Sequence, residues 1–180
     1  MAVLERYSST NSPWIETGTY FGQTTAVLAK GSPLVVSLEP DRELYLAASE
    51  RLKSLKNVSL LNLPSEEGLE SAIQQASIYP RVNFWLDGHY SQGPTWRGEQ
   101  DTPILKELAL VSLAAQSGKF KNVTVFVDDC RLFAAGKRED PDDLSRAGYP
   151  PLQTLTLWAS ENSFSWHIEH DIFIAKYTES

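Results

Sequence analysis

Two hydrophobic periods take turns along this chain. Short runs rich in β-branched residues recur, and between them lie longer stretches whose apolar positions fall three and four apart. Trp14-Ile15 opens the first short run, which ends at Glu16-Thr17-Gly18. Residues 23–30 then read as a helix stopped by Gly31, and 33–38 as a buried strand. From Asp41 a helical stripe passes through Leu44, Ala48, Leu52 and Leu55. A third strand is predicted over 58–63. Ser65 is placed to cap a following helix with stripe Leu69, Ala72, Ile73 and Ala76, and Glu66 and Glu67 suit the positive end of its dipole. Residues 82–86 read as a fourth strand, 103–116 as a strong helix with Gly118 just beyond its end, and 123–127 as a fifth strand.

Such alternation is the mark of a parallel sheet with helices on both faces. Near the C-terminus the rhythm changes: 154–159 and 167–177 read as two strands joined by the polar run 160–165. A gap that short suits an antiparallel hairpin, because a parallel crossover needs a dozen or more residues. Two stretches carry no regular pattern, 91–102 and 135–151. Both are expected to follow a strand's carboxyl end, where open α/β sheets bind ligands.

Composition narrows the classes. A chain of 180 residues, 42% of them hydrophobic, fits one domain over 1–180 with a sizeable core. Sixteen basic against 23 acidic residues give a formal net charge of −7, which argues against a phosphate-tracking surface and hence against nucleic acid as partner. Cys130 is the single cysteine, which excludes an intramolecular disulfide and a Cys-based zinc site. Residues 1–12 are polar without a basic-then-apolar leader pattern, and no apolar run approaches the roughly 20 residues of a membrane span. A soluble cytoplasmic protein with no membrane partner is expected; homo-oligomerisation is left open.

The richest segment is Glu16-Thr17-Gly18-Thr19-Tyr20-Phe21-Gly22-Gln23-Thr24. A glycine after a first strand lets the chain turn sharply and a ligand approach the backbone. Gly22 falls where the next helix begins, so its free N–H groups face the crevice. Glu39, twenty-three residues after Glu16, closes the second strand, where an acid accepts hydrogen bonds from both hydroxyls of an adenosine ribose. The plainer alternative is that Gly18 and Gly22 serve tight turns and Glu39 is a solvated strand-end charge. A pyrophosphate-binding loop is disfavoured by the missing third glycine and by the bulk of Tyr20.

Glu-x-Gly-x-x-x-Gly followed by an acid closing the second strand resembles the cofactor half of class I S-adenosylmethionine-dependent methyltransferases. The terminal hairpin fits that family. The resemblance implies a Rossmann-like three-layer sandwich with a seven-stranded, mostly parallel sheet in order 3-2-1-4-5-7-6, the last strand antiparallel. It also implies S-adenosylmethionine as cofactor, with Glu16 and Gly18 at its methionine end, Glu39 on its ribose, and Thr17, Thr19, Gly22, Thr24 and Asp87 lining the same crevice. Leu86-Asp87-Gly88-His89-Tyr90-Ser91, Asp101-Thr102-Pro103-Ile104 and Val127-Asp128-Asp129-Cys130-Arg131-Leu132-Phe133 are similar to a group of bacterial methyltransferase-like proteins. More distantly they are similar to metal-dependent sugar O-methyltransferases of macrolide biosynthesis, which carry an Asp after the fourth strand and an Asp-Asp after the fifth. The longer 91–102 segment departs from that second pattern, so its substrate class is not carried over.

Asp87 and the pair Asp128-Asp129 sit at the ends of neighbouring predicted strands, so folding would gather three carboxylates. Carboxylates in one crevice repel unless a cation or protons intervene, and oxygen-rich ligation suits Mg²⁺ or another hard divalent ion. Such an ion would orient a substrate hydroxyl and lower its pKa. The alternative is that one aspartate caps a helix and another pairs with Arg131 or Arg97. His89, two residues past Asp87, is the natural general base, or else a structural hydrogen-bonder. His167 and His170, three apart on one predicted strand, should face opposite ways. Trp85 reads as core, and Trp96 and Arg97 as substrate clamps or loop anchors. Cys130 follows two acids, which blunts a thiolate.

The function these features favour is methyl transfer to a small hydroxylated molecule, with metal assistance expected. The competing readings are a non-catalytic binding or scaffold protein, whose crevice would be plugged by Tyr20 and Phe21, and an NAD-dependent oxidoreductase.

Overall fold

A computed structural model describes residues 2–87, 102–134 and 149–179. In chain order the elements are α1 (Ala2–Tyr7), β1 (Trp14–Thr17), α2 (Gln23–Leu28), β2 (Val35–Leu38), α3 (Arg42–Leu52), β3 (Val58–Leu61) and α4 (Ser65–Ala76). There follow β4 (Arg81–Leu86), α5 (Ile104–Gln116), β5 (Asn122–Val127), α6 (Arg131–Ala134), α7 (Leu152–Glu161), β6 (Ser165–Glu169) and β7 (Ile172–Thr178). The strands form one seven-stranded sheet in order β3-β2-β1-β4-β5-β7-β6. The first five pair in parallel, and β7 runs antiparallel to both β5 and β6. Order and direction are those expected.

Strand alternation divides the core into two layers. Ile15, Val36, Phe84, Leu86, Val123 and Val125 face one way, onto Leu69 and Ala72 of α4, Leu108 and Val111 of α5 and Leu155 of α7. Trp14, Val35, Trp85 and Phe126 face the other, onto Val3 and Leu4 of α1 and Leu28 of α2. Trp85 is core, as its place inside a strand implied. Asp41 caps α3 by accepting from the N–H groups of Glu43 and Leu44. Ser65 is not a cap: Pro64 holds that position and Ser65 begins the helix. No helix among the described residues is long and apolar enough to cross a membrane.

The C-terminal third departs from the expected elements while keeping their order. Residues 154–159 lie inside the helix α7, not in a strand. Thr154 and Thr156 favour extended backbone, but Leu155 and Ala159, four apart, are the buried positions. Trp158 on the same helix donates its indole N–H to Leu108 O at 3.1 Å and Ser112 Oγ at 2.7 Å. The single strand expected over 167–177 is instead the whole β6–β7 hairpin. His170 and Asp171 form its turn with φ of 48° and 65°, the positive pair a two-residue turn of this twist requires. His170 is therefore a turn residue, while His167 sits on β6 with its ring 4.6 Å from that of Tyr7.

The short helix α1 has no counterpart in the hydrophobic pattern, being too brief to show a period. Tertiary contacts hold it. Tyr7 donates its hydroxyl to Glu169 Oε2 at 2.7 Å, and Arg6 meets Glu169 Oε1 at 2.8 Å.

Candidate active site

The carboxyl ends of β1, β2 and β4 lie side by side because those strands pair in register. Thr17 is opposite Leu38 on one side and Leu86 on the other. The loop after β1 turns on two glycines in left-handed conformation, Gly18 at φ 82° and Gly22 at φ 78°. Gly22 has a second constraint: a β-carbon there would stand 2.8 Å from Leu52 Cδ1 on α3. Gly31 is the natural comparison, since it shares the positive φ with open space around it. Gly22→Ala is expected to lower the melting temperature by about 3–8 °C, from a left-handed penalty of about 1–2 kcal/mol plus the clash. Gly31→Ala should lower it less. Thermal unfolding by circular dichroism compares the two, and equal shifts would remove the packing argument at Gly22.

Glu16 is completely buried at the floor of this crevice. Its Oε2 accepts from the hydroxyls of Thr25 on α2 and Ser37 on β2, each at 2.5 Å, and Thr19 Oγ1 lies 2.6 Å from Ser37 Oγ. Because the Ser37 hydrogen is committed to Glu16, Thr19 is the donor in that last contact. Among the described residues Glu16 Oε1 has no hydrogen-bond partner. Burial pushes the carboxyl up to about 8, against the two hydroxyl bonds, with Asp87 and Glu39 adding repulsion. Thr25, not among the expected site residues, is the threonine that touches Glu16.

Glu39 closes β2 as expected, but it is buried, not solvated, at 5% exposure. Its Oε2 accepts the Tyr20 N–H at 2.7 Å and its Oε1 the Asp41 N–H at 3.0 Å. Burial raises its pKa, and these two backbone bonds oppose the rise. Glu39 thus holds the glycine loop, where Tyr20 has φ 52° and its ring lies 4.4 Å from that of Phe21. Tyr20 is 43% exposed, so it fringes the crevice instead of filling it.

A second buried acid was not among the expected residues. Glu107, in the first turn of α5, is 1% exposed. Burial pushes it up to about 7; the nearby hydroxyls of Ser65 and Thr17 pull it down, and Glu66 and Asp87 repel it. Among the described residues Glu107 Oε1 has no hydrogen-bond partner of its own. The sequence did hold a signal: Ile104, Glu107, Leu108 and Val111 share one helical face, so an acid occupies a core position.

Asp87 and Asp128 follow the paired ends Leu86 and Val127, as the positional argument required. The Asp87 N–H reaches Thr17 O at 3.2 Å and Thr17 Oγ1 at 3.3 Å. The shared metal centre expected of Asp87, Asp128 and Asp129 does not form. Among the described residues no group of three or more His, Cys, Asp or Glu side chains is placed to hold a metal ion. The reason is local. Asp129 stands at φ 52° with its carboxylate 2.6 Å from the Arg131 guanidinium, and Arg131 also pairs with Asp171 of the hairpin turn. Asp128 Oδ1 accepts the Asp129 N–H at 2.9 Å. The alternative pairing with Arg131 is the one realised. Cys130 is buried and its thiol is pushed up, first by burial and then by Asp171. His89, Trp96 and Arg97 lie outside the described residues, as do 91–101 and 135–148 of the two irregular stretches.

A cavity of about 280 Å³ lined by Thr10, Asn11, Ser12, Tyr79, Pro80 and Arg81 opens at the amino ends of β1 and β4, away from both buried acids.

No family model matches the chain, and no curated protein does. Solved structures do resemble it. A chain of Listeria monocytogenes described as a candidate S-adenosylmethionine-dependent methyltransferase superposes with TM-score 0.63 at 13% identity, covering 99% of this chain and 96% of that one. An rRNA methylase from Streptococcus thermophilus gives 0.52 at 12% identity, covering 99% and 92%. A candidate methyltransferase from Streptococcus mutans, in complex with SAH, gives 0.54 at 13% identity, covering 97% and 92%. With the strand order and the antiparallel β7, the fold of this chain is that of class I S-adenosylmethionine-dependent methyltransferases.

Proposed function

We propose that this protein is an S-adenosylmethionine-dependent methyltransferase. The observation that carries the reading is Glu16: a fully buried acid with one oxygen unpartnered among the described residues, at the strand end that leads into a loop turning on Gly18 and Gly22. Burying a polar atom without a partner costs about 1–3 kcal/mol, an expense that a ligand's own donor would offset. The cofactor, when bound, supplies a methyl group on a positively charged sulfonium. Glu16 and Gly18 would flank its methionine end. Glu39 would accept from its ribose hydroxyls, since each carboxylate oxygen engages one backbone N–H and keeps a lone pair. Thr17, Thr19, Gly22, Thr24 and Asp87 would line the rest. His89 is the general base of this reading, taking a proton from the acceptor hydroxyl.

The acceptor we favour is a small hydroxylated molecule, because a net charge of −7 opposes a polyanion. A polynucleotide is the alternative that the rRNA methylase among the similar structures raises. One observation favours a non-catalytic binding protein instead: Glu39 already serves its own loop. The expected result is saturable calorimetric binding of S-adenosylhomocysteine, together with transfer of label from methyl-tritiated S-adenosylmethionine to hydroxylated small molecules. Binding without transfer to any acceptor, RNA included, would favour the binding-protein reading; absence of binding would sink both.

A further inference from the structure

We infer that the amino edge of the sheet carries a second ligand site, which takes the phosphate and base of a nucleotide in the cavity beside β1 and β4. The site lies at the opposite end of the strands from the proposed cofactor crevice and does not depend on the methyltransferase reading.

Charge is sorted along the strands. The segments that lead into β1 to β5 are 8–13, 29–34, 53–57, 77–80 and 117–121. They hold Lys30, Lys53, Lys56, Lys119 and Lys121 and no acid. Arg81 opens β4 on the same edge. At the other end, 39–41, 87 and 128–130 hold Glu39, Asp41, Asp87, Asp128 and Asp129 and no Lys or Arg. A chain of net charge −7 thus presents a cationic edge. Salt screens charges beyond about 8–10 Å, so an anion there meets the local sign and not the net one. Acids reach this edge only from outside those segments. Glu161 ends α7, Glu50 pairs with Lys53, and the Glu179 N–H donates to Lys121 O at 2.8 Å. None of them lines the cavity.

The cavity gives the edge its shape. Its volume of about 280 Å³ falls at the lower end of the roughly 300–1,000 Å³ usual for ligand pockets, room for one small molecule or one nucleotide unit. Hydrogen bonds fix its walls. The Asn83 N–H donates to Pro13 O at 2.9 Å, the Lys121 N–H to Pro80 O at 2.7 Å, and Ser32 Oγ to Ser12 O at 3.0 Å. The last two set the turns bearing Lys121 and Lys30 against the rim. Asn57 Nδ2 donates to Ser32 O at 2.8 Å and adds the turn bearing Lys56.

The lining supplies three kinds of group. Arg81 makes no ion pair with any described residue, so its guanidinium offers phosphate a planar fork of N–H donors. Tyr79 is the aromatic residue of the wall, where a base can stack. Thr10, Asn11 and the buried Ser12 add hydroxyl and amide groups for a sugar or a base edge. A cation, a ring and short polar groups around a cavity without an acid match a nucleotide; a simple carboxylate would leave the ring unused. Two sources share that chemistry: a free nucleotide, or one unit of an RNA strand whose neighbouring phosphates meet Lys30, Lys119 and Lys121.

The test is calorimetric titration of the full chain with uridine monophosphate at low salt, with S-adenosylhomocysteine in excess. A pyrimidine ligand and an occupied crevice keep the adenosine site out of the signal. Saturable binding is expected. Arg81→Gln should weaken it by at least about tenfold, the loss of hydrogen bonds to a charged group. Tyr79→Leu should weaken it by about fivefold or more, and Glu39→Ala should leave it unchanged. Uridine alone and inorganic phosphate alone should each bind more weakly than the nucleotide. Melts check that each variant folds. Arg81 is exposed at the first position of its strand, so Arg81→Gln decides if Tyr79→Leu does not fold. A short oligouridylate that binds more tightly than the monophosphate, and loses that gain in Lys30→Gln and Lys121→Gln, identifies RNA as the source. Equal affinities identify a free nucleotide. No binding of uridine monophosphate by the wild type, or binding that Arg81→Gln leaves unchanged, overturns the inference and leaves the methyltransferase reading standing. Failure to bind S-adenosylhomocysteine removes that reading alone.

Discussion

Raising the pH from about 5 to about 8 is expected to lower the melting temperature of this protein, and Glu16→Gln and Glu107→Gln are each expected to flatten that fall. Glu16 moves from the ordinary 4.5 up to about 8, and Glu107 up to about 7, in both cases chiefly through burial. Below 4.5 the native and unfolded states both hold these protons, so the stability difference is insensitive to them. Between 4.5 and the folded values the unfolded chain has lost protons that the native state keeps. Stability then falls as pH rises, by up to ~1.4 kcal/mol per pH unit for each group. Above about 8 both states have lost them and the penalty is complete, on the order of a few kcal/mol per acid. Glu169 acts in the opposite sense at the acid end. The Tyr7 hydroxyl, then Arg6, holds its carboxyl below the usual range, so its contribution is lost as pH falls. Thermal melts at intervals between pH 5 and 9 measure the slope. The doubly substituted chain should match the wild type near pH 5 and exceed it at pH 8. A wild-type slope that both substitutions leave unchanged would mean that neither acid keeps its proton in the folded state.

How these acids could be read from sequence differs sharply between them. Glu16 stands at a strand end that leads into a glycine loop, a pattern with a chemical meaning of its own. Glu107 stands in a helix whose stripe is otherwise apolar, and 103–116 as a whole looks like an ordinary amphipathic helix. Its burial becomes visible only when Ile104, Leu108 and Val111 are counted as one face and the acid is noticed among them. The parallel half of the sheet was legible because β-branched runs and helical stripes have different periods. The last third was not, because Thr154, Thr156 and Trp158 prefer extended backbone locally while packing against α5 holds them helical. Strand order survived that error, since a helix before a tight hairpin and a pair of strands end the sheet the same way. The aspartate cluster failed for a different reason. Position along the strands was right, but Arg131, two residues on, takes up Asp129, as the competing reading allowed; what no local pattern announces is that Asp171, forty residues away, also pairs with Arg131.

Glu39→Ala is expected to weaken binding of S-adenosylmethionine and S-adenosylhomocysteine by at least tenfold while the chain still folds. Two effects act together. In the proposed complex each ribose hydroxyl donates to a charged acceptor, a bond worth about 1.5–3 kcal/mol, and the substitution removes both. It also strips the acceptor from the Tyr20 and Asp41 N–H groups, which Glu39 now engages at 2.7 and 3.0 Å. Tyr20 is 43% exposed, so water can replace the carboxylate there and the stability cost stays small. The freed loop, however, no longer holds Tyr20 at φ 52° beside Gly18 and Gly22, and ordering it again on binding costs further affinity. Glu39→Gln separates the two effects. The amide keeps the volume and one acceptor oxygen, but its NH₂ must face one of the two backbone N–H groups or one ribose hydroxyl. Its affinity should therefore fall between wild type and alanine. Calorimetric dissociation constants read the ligand term, and melts of the ligand-free chains read the loop term. A lowered melting temperature with an unchanged dissociation constant would assign Glu39 to the loop alone and move the adenosine elsewhere in the crevice.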